Sequence, residues 1–181
     1  MKATGIVRRI DDLGRIVIPK EIRRTLHIRE SDPIEIFTDR DGQIMLRKYS
    51  PIGEMSTFAK QYAESLAKAS GHIALITDRD HVIAVAGGGK NLLGKEISRS
   101  LEEKMQNREN VCAGKSEKGF VAICENMEED YSQQAIVPII CAGDVIGAVI
   151  LLNADSKIKM GEVEQKLLLS AAGFLGRQME Q

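Results

Sequence analysis

The first fifty residues carry more strand pattern than they can cover. Aliphatic runs alternate with turn signals: a strand over residues 5–10, a turn from Asp11 to Gly14, a strand from Arg15 to Ile18, a short helix from Lys20 to Leu26, a strand from Ile34 to Phe37, a tight turn at "DRDG" and a strand from Gln43 to Lys48. A segment this short leaves too much of its surface in water to fold alone. Disulfides cannot make up the shortfall, because the first cysteine is Cys112. In "GIVRRI" the side chains of Ile6 and Val7 point to opposite faces, so both faces need cover. A second copy of the segment, interleaved with the first, is expected to supply it.

Ser50-Pro51 interrupts the strand pattern, and a helical one begins. From Met55 on, Phe58, Ala59, Tyr62, Ala63, Leu66 and Ala69 recur at helical spacing. The strands "HIALIT" and "HVIAVAG" follow, then a charged helix over 92–108, then the strands "GFVAIC", "QQAIVPII" and "VIGAVILLN". A last helix from about Met160 carries Val163, Leu167, Ala171, Phe174, Leu175 and Met179 on one stripe. Helix, antiparallel sheet and helix make an α+β sensor-like layout. The expected division is a strand-rich domain over 1–51, a connector helix over 52–70 and a sensor-like domain over 71–181. Two amphipathic helices beside one small sheet leave apolar surface over, so at least one, through Phe58 and Leu66, is expected to pack against a further chain.

Charge is distributed unevenly. Residues 1–50 hold eleven Lys/Arg against eight Asp/Glu, and the rest hold fourteen against eighteen. Six of the cations fall in "VRRIDDLGRIVIPKEIRR", which points to an anionic partner for the amino-terminal segment alone. Pro19 suits the first turn of a helix on which Lys20, Arg23, Arg24 and His27 share one face and Ile22 and Leu26 the other. Lys20 and Arg24 are like charges at i, i+4, which costs an isolated helix about 0.2 to 0.5 kcal/mol and favours a bound anion. Arg8, Arg9 and Arg15 flank the adjoining turn, and double-stranded DNA is the anion that such a cluster suits.

The stretch "MKATGIVRRIDDLGRIVIPKEIRRTLHIRESDPIEIF" resembles the N-terminal domain of the AbrB family of swapped-hairpin transition-state regulators. The resemblance implies an all-β-rich swapped-hairpin homodimer with one short helix, acting as a transcription regulator that activates some promoters and represses others. It implies DNA contacts at Arg8, Arg9, Arg15, Arg23 and Arg24, with Lys2 and Lys20 as lesser candidates. It also implies an α+β GAF-like domain from about residue 56, and two dimers joined through helices into a homotetramer. It names no cofactor, and any small-molecule effector of the GAF-like domain is unidentified. The alternatives are a swapped-hairpin antitoxin, which usually appends only a short disordered tail, and an enzyme built on the C-terminal domain.

Other features argue against catalysis and membranes. "GKNLLGKE" fits a phosphate-cradling loop until Glu96, which stands where a hydroxyl should hold magnesium. His72 and His81 flank a strand turn with no nucleophile at a telling spacing, and surface roles are expected for both. "MEEDY" reads as a solvated loop. Cys112, Cys124 and Cys141 have neither disulfide nor zinc spacing and are expected to be buried thiols. The uncharged run from Ala135 to Gly143 is about half the length of a spanning helix. With no apolar stretch of signal-peptide length at the start, a cytoplasmic, nucleoid-associated location is expected.

Overall fold

Two of the four strands expected before residue 50 do not form in the single chain. Residues 5–10 and 15–18 run without strand pairing, and their aliphatic side chains stand in water, Val7 at 85% and Val17 at 71% exposure. An extended segment becomes a strand only when a neighbour bonds to it in register, and these two form no strand ladder among the described residues. The computed structural model describes residues 5–54, 56–125 and 131–180, and divides into two units, Met1–Tyr49 and Ser50–Gln181. Lys2, Met55 and most of the "MEEDY" loop lie outside the described residues.

In the first unit, helix α1 (Lys20–Thr25) precedes an antiparallel hairpin of β1 (Ile34–Thr38) and β2 (Ile44–Lys48), with Ile36 opposite Leu46. Lys48 Nζ donates to His27 O at 2.9 Å and lies 3.5 Å from the buried Asp32 carboxylate, fastening the hairpin to the end of α1.

The second unit opens with the single turn α2 (Pro51–Glu54), whose Ile52 is fully buried, and α3 (Ser56–Ser70). Its sheet has the order β4-β3-β7-β6-β5 and is antiparallel throughout: β3 (Ile73–Thr77), β4 (Val82–Ala86), β5 (Val111–Gly114), β6 (Gln133–Cys141) and β7 (Asp144–Asn153). Helix α5 (Glu162–Gln178) closes the chain. Both sheet faces are covered. Val149 and Leu151 meet Ala59, Ala63 and Leu66 of α3 and Leu168, Ala171 and Leu175 of α5. Ile150 and Leu152 meet Leu101 and Met105 of α4 (Arg99–Gln106) on the other side. Alternate residues on one strand therefore serve two cores. Leu66, expected at a seam between chains, belongs to the first of these cores.

"GFVAIC" is not a strand of the sheet. It crosses the α4 face as a covering segment, pinned by the buried Gln134, whose carboxamide donates to Val121 O (2.9 Å) and accepts from Val121 N (2.7 Å). Ser98 adds a second pin, donating through Oγ to Ala122 O at 2.5 Å and accepting from Leu101 N at 3.0 Å as the N-cap of α4. That cap starts α4 at Arg99, seven residues later than the expected charged helix, which also ends earlier, at Gln106. A covering segment and a strand share an apolar composition, and only their pairing separates them. The four-residue β5 takes the sheet position instead.

Helix α5 approaches β6 so closely that a Cβ at Gly176 would stand 2.1 Å from Ile140 O, whereas one at Gly173 meets nothing within 4 Å. Replacing a mid-helix glycine by alanine ordinarily stabilises by about 0.8 to 1 kcal/mol. The clash reverses that sign at one position only: Gly176→Ala should lower the urea midpoint of the full chain, and Gly173→Ala should raise it or leave it unchanged, as followed by far-UV circular dichroism.

Candidate nucleic-acid interface

The turn between the extended segments over residues 5–10 and 15–18 is built by one carboxylate. Asp11 Oδ1 accepts from Leu13 N (3.0 Å) and Arg15 N (2.8 Å), while Asp11 O accepts from Gly14 N (3.0 Å). Gly14 takes φ 76°, a left-handed value that an ordinary side chain makes costly. The second oxygen, Oδ2, receives Arg15 Nε at 2.7 Å. Arg15's backbone N–H first, and its guanidinium next, hold the Asp11 carboxyl below the usual carboxylate range. Arg15 stays 68% exposed, so its remaining N–H groups face solvent.

Arg8 and Arg9 lie on the extended segment before this turn, both exposed, and Arg8 donates to its neighbour's carbonyl, Val7 O, at 3.3 Å. Lys20, Arg23 and Arg24 are exposed on α1, where α-helical spacing places them together. Among the described residues, Arg8, Arg9, Arg23 and Arg24 form no ion pair, and Arg15 alone of these arginines is held by a carboxylate. The Asp11–Arg15 pair was not anticipated from the sequence. Its signal is an Asp-x-x-x-Arg spacing across a turn that ends in glycine.

The uncovered surface beside these cations is aliphatic. Ile10, Leu13, Leu26, Ile36 and Ile44 are each more than half exposed. A monomer that leaves this many large apolar side chains in water has a surface shaped for a partner.

The remaining candidate sites of the sequence resolve differently. In "GKNLLGKE" the backbone amides that a phosphate needs already bond within the chain: Leu92 N to Gly89 O (2.9 Å), Gly94 N to Val82 O (2.8 Å) and Lys95 N to Leu92 O (3.0 Å). His72 is not on the surface: it is buried, its Nδ1 lies 2.8 Å from Asn153 Nδ2 and its Nε2 3.5 Å from Glu164 Oε1, whereas His81 is exposed. Cys124 is buried, but Cys112 and Cys141 are only half-buried. Burial pushes both of their thiols up, away from thiolate reactivity. Among the described residues no cluster of three His, Cys, Asp or Glu side chains is arranged to hold a metal, and no helix is long and apolar enough to cross a membrane.

Residues 54–180 match the family described as stage V sporulation protein T C-terminal, transcription factor. Residues 7–54 match the family described as antidote-toxin recognition MazE, bacterial antitoxin. Over its full length the chain is 55% identical to stage V sporulation protein T of Bacillus subtilis strain 168, covering 100% of both chains across 182 aligned residues. It is also 39% identical to the transition state regulatory protein AbrB of the same organism, over 60% of this chain and 93% of that one. The fold of the second unit is similar to the GAF domain of Acinetobacter phosphoenolpyruvate-protein phosphotransferase, with a TM-score of 0.59 and 17% identity over 69% of this chain and 81% of that one.

Exposed arginines without partners contribute little to folding. Arg23→Ala and Arg24→Ala should each leave the thermal unfolding midpoint unchanged, within about 0.5 kcal/mol of stability. A larger loss for either would give that side chain a structural role.

Proposed function

The chain belongs to the stage V sporulation protein T family, and from that premise we propose that it regulates transcription during sporulation, as activator and repressor, by binding double-stranded DNA through a dimer of its first unit. The observation that carries this reading is the set of exposed arginines, of which Arg8, Arg9, Arg23 and Arg24 form no ion pair among the described residues, beside an uncovered aliphatic surface. Arg8, Arg9, Arg15, Arg23 and Arg24 are the proposed contacts, with Lys2 and Lys20 in lesser roles. A second copy that pairs with residues 5–10 and 15–18 covers Val7, Ile10 and Val17 and doubles the cations on one surface. The protein then works where a bacterium keeps its DNA, in the cytoplasm.

The antitoxin reading draws support from the match over residues 7–54, which concerns little more than the first unit. The match over residues 54–180 and the full-length relative favour the regulator. The GAF-like unit is proposed to modulate DNA binding without turnover. Leu75, Ile136, Ile150 and Leu152 fill its α4-side core, so an effector entering there has to displace a covering segment. Such a coupling gives a binding event a mechanical consequence.

Assembly beyond the dimer is proposed to run through α3 and α5. Phe58, Tyr62 and Phe174 form a half-buried aromatic cluster across these helices, with ring centroids 5.6 Å apart for Tyr62–Phe174 and 6.0 Å for Phe58–Phe174. A tetramer would join two DNA-binding modules and raise the effective concentration of the second without any new contact.

Two measurements test this function. If roughly six to eight of a dimer's cations contact phosphates, log K falls with log[salt] at a slope of about -5 to -7, and Arg23→Ala flattens it. An unchanged slope and affinity for Arg8→Ala, Arg15→Ala and Arg23→Ala alike would remove this surface from the DNA interface. For assembly, Phe58→Glu should bury an unpaired charge in the seam and halve the sedimenting mass of a tetramer, with weaker binding only on DNA long enough for both modules. A folded Phe58→Glu protein that still sediments as a tetramer would place the seam elsewhere.

A further inference from the structure

The chain contains the Asp11 turn twice, and the difference between the copies isolates what Asp11 adds. At the β1–β2 turn, Asp39 Oδ1 accepts from Asp41 N (3.0 Å) and Gln43 N (2.8 Å), Asp39 O accepts from Gly42 N (3.3 Å), and Asp39 N donates to Gln43 O (3.1 Å). Asp11 repeats the pattern with Leu13, Arg15 and Gly14, and Asp11 N donates to Arg15 O at 3.1 Å. The two glycines agree as well, at φ 76° for Gly14 and 79° for Gly42. Both turns are therefore made by Oδ1 and the backbone. The bond from Arg15 Nε to Asp11 Oδ2 has no counterpart at Asp39, where Gln43 stands in place of the arginine. Turn formation does not require it.

That bond has a directional effect on the guanidinium. With Nε held by a carboxylate whose own oxygen is fixed to two backbone N–H groups, the plane and direction of the guanidinium are set before any ligand arrives. The end-on pair of Nη groups stays available, and Arg15 is 68% exposed. A phosphate needs no such preparation, because a mobile cation satisfies it from many directions. A guanine edge does need it: O6 and N7 accept two parallel N–H groups in one plane. An acid on a DNA-facing turn also repels the backbone, so its presence weakens non-specific binding while leaving the correctly seated complex an aimed arginine.

We propose that Asp11 is a positioning residue that aims Arg15 at a guanine of the operator, making Arg15 the base-reading arginine of the cluster, while Arg8, Arg9, Arg23 and Arg24, which no carboxylate holds among the described residues, serve mainly phosphates. This rests on the DNA-binding reading above. It adds a division of labour between sequence-reading and charge-neutralising side chains.

The test uses the full-length protein and its variants Asp11→Asn, Arg15→Ala, Arg15→Lys, the Asp11→Asn/Arg15→Ala double variant and Asp39→Asn. Double-stranded sequences are selected from a random library with each, and affinities for the wild-type winner and for a random duplex are measured at one salt concentration. Asparagine keeps Oδ1 for the turn and sets an amide donor against Nε, so it separates folding from aiming; Asp39→Asn is the control for the turn. Asp11→Asn should lower the ratio of specific to random binding by about tenfold, and random-duplex affinity should hold or rise. The selected motif should lose preference at a guanine, the same one that Arg15→Ala and Arg15→Lys lose. In the Arg15→Ala background, Asp11→Asn should cost nothing further in the ratio. An unchanged ratio for Asp11→Asn, or an equal fall with and without Arg15, overturns the aiming role. Should Asp11→Asn disturb folding, Arg15→Lys decides: it keeps the charge but lacks the fork, and full retention of the guanine preference overturns the proposal. A wild-type protein that binds DNA but enriches no sequence overturns base reading while sparing the phosphate contacts, and one that binds no DNA overturns the parent reading as well.

Discussion

Uncovered aliphatic side chains in the first unit govern how this protein is built and how it acts. Val7, Ile10, Leu13, Val17, Ile36 and Ile44 are each more than 60% exposed in the single chain. At roughly 25 cal/mol for each Å² removed from water, covering several such side chains together outweighs many surface ion pairs, which contribute about 0 to 1 kcal/mol each. If a second copy supplies that cover, as proposed, folding of this unit and pairing become one event. The proposed pairing would reach the proposed DNA contacts directly, because residues 5–18 include Arg8, Arg9 and Arg15.

The second unit obeys the opposite rule. Its β6 and β7 are buried along nearly their whole length, with side chains alternating between a core lined by α3 and α5 and a core lined by α4 and the segment that Gln134 pins. It needs no second chain to hide its sheet. Close approach then replaces bulk as the constraint, as at Gly176, where only a hydrogen fits against Ile140 O. A glycine of this kind is dictated by a backbone far away in sequence.

That contrast explains what was legible in the amino-acid sequence. The period of 3.6 in α3 and α5 and the aliphatic runs of β3, β4, β6 and β7 show where those elements lie, because each element's own pattern carries the information. Residues 5–10 and 15–18 carry a strand pattern but form no strand in the single chain, so pattern and single-chain structure part company there. "GFVAIC" misleads for a different reason: a segment covering a sheet is as apolar as a strand within it, and the position of Gln134 beneath Val121 is a tertiary fact. His72 looks isolated until Asn153, 81 residues on, meets it across β3 and β7. The excess of cations was legible through charge and helical spacing, and the AbrB resemblance gave it an expected chemical purpose. What charge could not show was which arginine is held.

With 25 Lys/Arg against 26 Asp/Glu, the chain as a whole exerts almost no long-range pull on DNA. At physiological ionic strength fields between exposed charges fade over about 8 Å in any case. On the proposed reading, association therefore depends on cations standing close to one another on a small surface. In such a protein, affinity is a matter of local count and specificity a matter of local direction. Arg23 and Arg24, exposed on one short helix, are proposed to answer the first requirement. An arginine fixed by a carboxylate within a turn that already holds its shape answers the second, and it does so at the cost of one favourable charge, which a protein that relied on attraction alone would have no reason to give up.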